Sequence, residues 1–427
     1  MLLSFSVSNY RSIRNTVTFS MEPLLSKSQK ADNLIITDRY TGLKSAVIYG
    51  ANASGKSNLV SAMGFMKDFI LGSATDSNIG STINIEPFKL AEVVNPVSTF
   101  EIVLTDEDIR YRYGFSCDRK HVQREWCFQA KKKAEYPLFL REGSEIDIDP
   151  RFKEGNGLEK KTRDNALFLS VVSQFNGAIS NLLIQWFRRL NCISGLDDEN
   201  YFRYSVNQFN KADNRESVLS LLKAADVDIV DLDIVQSEID VNKLPTNLPQ
   251  PLKDLFLKSK GESITVRAKH ETFDQNMKPV GFTFLDYHTS ESKGTQKLFS
   301  LSGPLLNTLK HGKVLVVDEL DARLHPILTQ VIVNLFNSRE SNSKGAQLIF
   351  VTHDTNLINN KSFFRRDQIW FAEKDNGRAT DIYSLAEYML PGREGKVRED
   401  QSWDKDYIRG RYGGIPFIGD FNSLVSD

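Results

Sequence analysis

Two stretches far apart in the chain carry residue types that could do chemistry together. One is Gly50-Ala51-Asn52-Ala53-Ser54-Gly55-Lys56-Ser57. Its glycines let the backbone curl so that several N–H groups point inward at an anion. The spacing GxxxxGK[ST] adds an ammonium and a hydroxyl. That set suits a bound polyphosphate, with Lys56 on the terminal phosphates and the Ser57 hydroxyl on Mg²⁺. The other stretch is Val314-Leu315-Val316-Val317-Asp318-Glu319, an apolar run ending in two carboxylates. It reads as a buried parallel strand, and open α/β sheets bind ligands at the carboxyl edge of such strands. Carboxylates placed there can hold a metal and polarise a water.

Both stretches need elements to hold them. Ser45 to Tyr49 is expected to be a strand entering the glycine-rich turn. Asn58 to Leu71 is expected to be a helix whose N-terminal dipole faces the same anion. Gln347 to Val351 reads as another buried strand ending in Thr352-His353-Asp354, which puts His353 at the edge that carries Asp318 and Glu319. Pro326 suits the first turn of a helix running to about Asn337. Ser290 to Gln296 opens a helical stretch, Lys297 to Leu309. It offers hydroxyls, amides and a dipole to an anion, although alone it reads better as a capped core helix.

The remaining pattern gives the frame. Leu2 to Val7 and Thr16 to Met21 read as strands. Ile83 to Leu104, Ile109 to Phe115 and Val122 to Gln129 read as antiparallel strands, with Lys131-Lys132-Lys133 at a solvated hairpin tip. Gly143 to Gly157 is polar and marks a boundary. Thr162 to Cys192 has helical spacing, through Leu167, Val171, Phe175, Ile179, Leu182, Trp186 and Leu190. Ser217 to Ala224 and Leu252 to Leu257 read as short helices, and Ile229 to Ile234 as a strand. Ser263 to Lys269 pairs with Val280 to Tyr287. Asp367 to Ala372 and Thr380 to Ser384 complete the sheet. The expected division is 1–135 and 261–385 as two halves of one α/β domain, 136–260 as a mainly helical insert and 386–427 as a tail. No heptad or internal repeat persists.

Composition bounds the partners. The chain has 427 residues, 26% charged and 40% hydrophobic, with a formal charge of -1. A near-neutral balance argues against a protein that coats nucleic acid. Its three cysteines form no CxxC pair, which fits a reducing, cytoplasmic setting. The start lacks a signal-peptide pattern, and no apolar run is long enough to span a membrane.

Taken in order, the P-loop, ESKGTQ, VLVVDELD, RLHP and LIFVTHD resemble Walker A, ABC signature, Walker B, D-loop and H-loop. Asn9-Tyr10-Arg11-Ser12 is similar to an N-terminal element of the SMC/Rad50-like branch. The ESKGTQ variant and the tail RGRYGGIPFIG resemble more narrowly the RloA/AbiL-type ABC-type AAA-family antiphage ATPases. The likeness to the ATPase core covers about 1–125 and 262–385. The signature departs from LSGG. No Q-loop glutamine is evident; Ile85-Glu86-Pro87-Phe88 lies where one is expected.

The resemblance implies an ABC/SMC-like P-loop NTPase fold, with a mostly parallel core sheet, an antiparallel β-subdomain and a mainly helical insert. It implies ATP as substrate and Mg²⁺ as cofactor. Gly50, Ala51, Asn52, Ala53, Ser54, Gly55, Lys56, Ser57 and Asn58 would hold the nucleotide, with Arg11 reaching phosphate or base. Ser57 and Asp318 would hold Mg²⁺, Glu319 would polarise water and His353 would bond the γ-phosphate. In a homodimer, or an assembly of dimers, Ser292, Lys293, Gly294, Thr295 and Gln296 would close on the opposite subunit's ATP, with Asp321 at the seam. The implied role is a sensor of a toxin–antitoxin-like antiphage system. It would control a small Toprim/RloB-like nuclease encoded beside it and answer a phage-encoded trigger protein.

Three other readings compete. A DNA-repair ATPase acting directly on nucleic acid would show a coiled-coil arm or a basic stripe. A transporter ATPase would show a helical subdomain after a Q-loop and a fuller LSGGQ. A self-contained nuclease would need a Toprim domain, and the stretch after His353 is expected to be too short for one. The tail, with Arg409 and Arg411, is expected either to be a solvated cap or to pack on the body and form a partner surface that is dispensable for ATP hydrolysis.

Overall fold

The computed structural model describes residues 1–24, 31–76, 78, 80–131, 134–238, 262–359, 363–388 and 402–415. The expected helix Leu252 to Leu257 and the hairpin residues Lys132 and Lys133 lie outside them. The chain forms two units, Met1–Leu196 with Asn307–Ala322 and Pro326–Asp427, and Asp197–Leu306 with Arg323–His325.

The first unit holds two large sheets. Strands β1 (Leu2–Ser8), β2 (Val17–Ser20), β6 (Ser98–Asp106), β7 (Ile109–Cys117), β8 (Val122–Ala130), β9 (Tyr136–Glu142) and β10 (Glu145–Ile148) form an antiparallel sheet in the order β10-β9-β8-β7-β6-β1-β2. A small hairpin of β3 (Leu34–Ile36) and β4 (Thr41–Leu43) leads to the second sheet. This is β11 (Leu190–Ser194), β15 (Val314–Asp318), β16 (Gln347–Val351), β5 (Ser45–Gly50), β17 (Ile369–Lys374) and β18 (Thr380–Ser384), in that spatial order. All its pairings are parallel except the β17–β18 edge. The fold is thus the expected ABC/SMC-like P-loop α/β class.

Helix α1 (Lys56–Gly72) lies between the sheets. Met63, Met66 and Ile70 join one apolar cluster with Phe100 and Phe115 of the antiparallel sheet and Ile48 and Val316 of the parallel one. Sheet burial on both faces explains why β5, β15 and β16 read as continuous apolar runs rather than alternating ones. Gln347 ties the sheets at one end: its side-chain oxygen accepts from the Leu2 N–H at 2.6 Å, and its amide donates to the Leu2 and Leu43 carbonyls.

Several boundaries differ from the sequence pattern. Of Ile83 to Leu104, only Ser98 onward is strand, because Ile83 to Phe88 is pinned as a loop: the Ile83 N–H bonds the Arg119 carbonyl and the Phe88 N–H the Asn9 side chain. Strands β9 and β10 extend the antiparallel sheet past the expected boundary at 135. Thr162 to Cys192 is two helices, α2 (Phe168–Gln174) and α3 (Ala178–Arg188), and then β11. β11 had helical spacing at Leu190 but pairs residue by residue with β15.

The second unit contains α4 (Glu199–Phe209), α5 (Ala212–Ala224) and an antiparallel sheet of β12 (Asp231–Glu238), β13 (Glu262–Phe273) and β14 (Pro279–Asp286). Among its described residues this unit thus combines helices with a three-stranded sheet. Helix Lys293–His311 begins in it, and its Phe299 meets Phe202, Phe209 and Tyr287 at 5.6–5.9 Å between ring centres. Among the described residues no helix is long and apolar enough to cross a membrane.

A buried acid locks α2 onto the antiparallel sheet. Glu125 of β8 is 1% exposed and accepts from the Phe168 N–H (2.6 Å), the Leu169 N–H (3.0 Å) and the Tyr113 hydroxyl (3.0 Å). Arg141 lies 3.6 Å away. Burial pushes the Glu125 carboxyl up, and Arg141 and the helix N–H groups oppose it. Glu125→Ala leaves a buried cation and open helix donors, so urea unfolding should show a loss of about 3 kcal/mol or more. A change within about 0.5 kcal/mol would contradict this role.

Candidate active site

The glycine-rich turn joins β5, buried throughout, to α1. Gly55 has φ +103°, and a Cβ there would lie 2.0 Å from Thr380 Oγ1 and 2.7 Å from Ser12 Oγ. Those two hydroxyls form a brace. They bond each other at 2.7 Å, Thr380 Oγ1 donates to the Ser54 carbonyl, and the Asn58 amide donates to Ser12 Oγ at 2.6 Å. Glycine is thus required by close approach as well as by conformation. Asn58 is used here to hold the turn.

Lys56 is 5% exposed and donates to the Gly50 and Ala51 carbonyls at 2.7 and 2.9 Å. Burial lowers its pKa, and the carboxylates of Asp318, Glu319 and Asp321 oppose that. The P-loop lysine and the acids ending β15 therefore share one electrostatic site.

Asp318 ends β15 with its Oδ1 buried and unpartnered. Burial raises its pKa; the Ser57 hydroxyl hydrogen-bonds it and, with Lys56, opposes the rise. A buried lone oxygen beside a hydroxyl fits a cation. Among the described residues no group of three or more His, Cys, Asp or Glu could hold a metal by itself. A bound ion would need waters or phosphates to fill its shell, which is how Mg²⁺ is usually held.

Glu319 is half-buried with φ +55°, a conformation costing a non-glycine residue on the order of 1–3 kcal/mol. Gly195, just beyond β11, accounts for its stability. The Gly195 N–H donates to the Asp318 carbonyl at 2.6 Å, and a Cβ at 195 would lie 1.9 Å from the Glu319 carbonyl oxygen. On the other side the Leu320 N–H bonds the Val351 carbonyl. The turn that aims Glu319 is thus pressed between the ends of β11 and β16. Its neighbour Asp321 accepts from the His353 N–H at 3.3 Å. Partial burial and Lys56 lower the His353 pKa, and Asp321, Glu319 and Asp318 oppose this. The lowered pKa favours the neutral ring.

The sequence-predicted residues Gly50–Ser57, Asp318, Glu319, Asp321 and His353 all lie in the first unit. Arg11 does not bond the P-loop. It sits over the Tyr10 ring with its Nε 3.6 Å from Glu86, inside the stretch where a Q-loop was expected. Its neighbour Ser12 makes the P-loop contact instead. The signature residues lie in the second unit. Ser292 is exposed, caps helix Lys293–His311 through the Thr295 N–H (3.1 Å) and bonds Thr295 Oγ1 (2.9 Å). Lys293 is also exposed and reaches Gln296, whose amide donates to the carbonyls of Tyr287, His288 and Glu291. Gly294 packs where a Cβ would lie 3.1 Å from the Arg323 carbonyl.

Behind the signature, Lys297 is fully buried and donates to Asp198 (2.8 Å) and the Tyr201 hydroxyl (2.9 Å), while Arg323 pairs with the other Asp198 oxygen at 3.2 Å. Gly195, Thr380 and Asp198 carry no local motif and were not singled out from sequence, and Ser12, quoted within Asn9-Tyr10-Arg11-Ser12, was given no role at the P-loop. The left-handed Glu319 backbone was the missing signal for Gly195.

Gly195→Ala should displace the Glu319 backbone while leaving the P-loop alone. Nucleotide affinity should stay within about threefold while turnover falls roughly a hundredfold. Unchanged turnover would show that the close approach is incidental. Because the Asp318 pKa is raised, protons should compete with Mg²⁺ at mildly acidic pH. Mg²⁺ affinity, read by calorimetry with nucleotide present, should rise with pH until that carboxyl is ionised, and Asp318→Asn should weaken binding and flatten the slope. A wild-type slope in the variant would exclude Asp318 as a ligand.

Solved structures similar to this chain include the SMC head domain from Thermotoga maritima, at 14% identity and TM-score 0.40, covering 90% of this chain and 98% of that one. An Smc head with an extended coiled coil bound to the C-terminal domain of ScpA, derived from Pyrococcus furiosus, has 13% identity and TM-score 0.36, covering 90% and 96%. The recombination mediator RecF with ATPrS has 13% identity and TM-score 0.28, covering 90% and 98%. No curated protein matches the sequence. The family described as "AAA domain, putative AbiEii toxin, Type IV TA system" matches residues 45–359, a span running from β5 past His353, and the chain belongs to that family.

Proposed function

We propose that this protein is an ATPase completed by dimerisation, acting as the sensor subunit of a toxin–antitoxin-like antiphage system. The observation that carries the ATPase reading is the meeting of Lys56, Ser57, Asp318, Glu319 and His353 at one sheet edge. Phosphoryl transfer needs mostly positioning and charge neutralisation, and these residues supply both. Lys56 leaves its carbonyl partners for the β- and γ-phosphates. Ser57 and Asp318 would hold Mg²⁺, which would supply positive charge to the phosphate oxygens. Glu319 takes a proton from the water whose oxygen attacks the γ-phosphorus, and the bond to ADP breaks with its electron pair on ADP. His353 hydrogen-bonds the γ-phosphate.

Exposed Ser292, with Gly294 and Thr295 at a helix start, offers an anion site to the ATP of a second copy. The family description supports the abortive-infection reading, in which ATP-dependent assembly restrains a separate nuclease-like effector until a phage component releases it. Direct action on nucleic acid is the alternative. The chain's formal charge of -1 favours the first.

Glu319→Gln keeps size and an acceptor oxygen but cannot take the proton, so turnover should fall roughly a hundredfold or more while ATP still binds. Unhydrolysed ATP should then bridge two copies. Light scattering should show a larger mass with ATP and Mg²⁺ than without, and adding Ser292→Arg should reverse it. Normal hydrolysis in Glu319→Gln defeats the catalytic assignment. An inactive variant whose mass ignores ATP defeats closure by the second copy.

A further inference from the structure

The tail segment 402–415 is built onto the P-loop's first residue. Its short helix, Trp403–Ile408, is followed by a turn in which Gly410, Gly413 and Gly414 have φ of +74°, +69° and +65°. Gly413 is gripped by β17 and β18: a Cβ there would lie 2.1 Å from Glu373 Oε2 and 2.5 Å from the Tyr383 hydroxyl. The Gly414 N–H donates to Glu373 Oε2 (3.1 Å), and Tyr383 donates to the Tyr412 carbonyl (2.6 Å). The space beside Gly414 meets the Gly50 Cα and the Ala372 carbonyl, both 3.6 Å from where a Cβ would stand.

Tyr407 spans the join. Its ring stacks on Phe371 at 5.2 Å and lies 5.7 Å from Tyr49, and its hydroxyl donates to the Gly414 carbonyl at 3.1 Å. Gly50 is thus met from the tail side by Gly414, whose carbonyl Tyr407 holds, and from the loop side by Lys56, which donates to its carbonyl. When Lys56 turns to a phosphate, the pairing of Gly50 with Ala372 of β17 and the packing of Gly414 are what remain against that peptide.

We propose that Tyr407 is a positioning residue for the P-loop, and that docking of segment 402–415 and occupation of the P-loop by a nucleoside triphosphate reinforce each other. This rests on the nucleotide reading above. It also replaces the expectation that the tail is dispensable for ATP hydrolysis, because removing it would uncover Phe371 and Tyr49. Linkage makes the coupling reciprocal: whatever affinity docking adds for nucleotide, nucleotide adds to docking.

The test uses the full chain, a fluorescent ATP analogue and trypsin. Tyr407→Phe keeps the ring and removes the hydroxyl that holds the Gly414 carbonyl against Gly50. It should weaken analogue affinity about tenfold at a temperature well below unfolding. Tyr412→Phe, in the same segment and fully buried, loses only a 3.3 Å bond to Asp406. It should lower thermal stability comparably and leave affinity unchanged. Saturating ATP should slow cleavage after the exposed Arg409 and Arg411 in wild type but not in Tyr407→Phe. Gly414→Ala, strained by its positive φ, should reproduce the affinity loss if Tyr407→Phe is unstable. Equal affinities in Tyr407→Phe and wild type overturn the proposal, as does an equal loss in Tyr412→Phe. If wild type binds no analogue, the nucleotide reading itself has failed.

Discussion

A buried ammonium at the edge of a parallel sheet is the constraint on which the rest of the site depends. Taking such a charge out of water carries a penalty of several kcal/mol unless fixed partners replace the solvent. Lys56 has two carbonyls within 2.9 Å and feels three carboxylates. The carbonyls exist in that position only because the chain curls between Gly50 and Gly55. The carboxylates stand there only because β15 runs parallel to β5, separated by β16. The lysine is therefore stored in a satisfied state whose bonds a polyphosphate can take over. Its counter-charges remain in place for a metal and a water.

That arrangement sorts what the sequence revealed from what it hid. Gly50–Ser57 and Asp318–Glu319 were legible because each motif is contiguous and sits where a strand ends, so local pattern and local chemistry coincide. His353 was legible by the same token, through β16. Thr380 and Gly195, and the part that Ser12 plays at the P-loop, were hidden because their role is to touch a backbone far away in sequence. Ser12 and Thr380 are 368 positions apart and meet only across the folded turn. A small residue after β11 is ordinary in a sequence; it becomes necessary only once Glu319 is seen in a left-handed conformation pressed against it. β11 itself was misread because Leu190 continues the helical spacing of α3. Its five residues are decided by pairing with β15, a tertiary effect that outweighs local periodicity.

The second unit shows the same division. Ser292 and Thr295 were visible as a capped helix start, and the cap is there. Asp198 was not visible, although Lys297 could not be buried without it. One carboxylate takes a lysine and the Tyr201 hydroxyl on one oxygen and Arg323 on the other. Removing it would strand a fully buried cation, a far larger loss than that of an exposed ion pair. The lysine that follows Gln296 and the arginine two positions after Asp321 are thus fixed by the same group. The signature helix and the segment after the acidic strand cannot shift independently in this unit.

The tail extends the logic to the other end of the parallel sheet. Edge strands expose backbone groups that must be covered or paired. Here β18 closes one edge, and the glycine turn of segment 402–415 settles onto β17 and β18 through Glu373 and Tyr383. Glycines with positive φ are what allow a chain to lie that close, since a Cβ at 413 would overlap the Glu373 carboxylate. Covering the edge would have been served by many sequences. Setting Gly414 against the Gly50 Cα, with the Tyr407 phenol on the Gly414 carbonyl, is more specific, because it brings the cover up to one of the two peptides whose carbonyls hold Lys56. The same ammonium that organises the acids of β15 is therefore connected, through its bond to Gly50 and the packing of Gly414 on that residue, to segment 402–415.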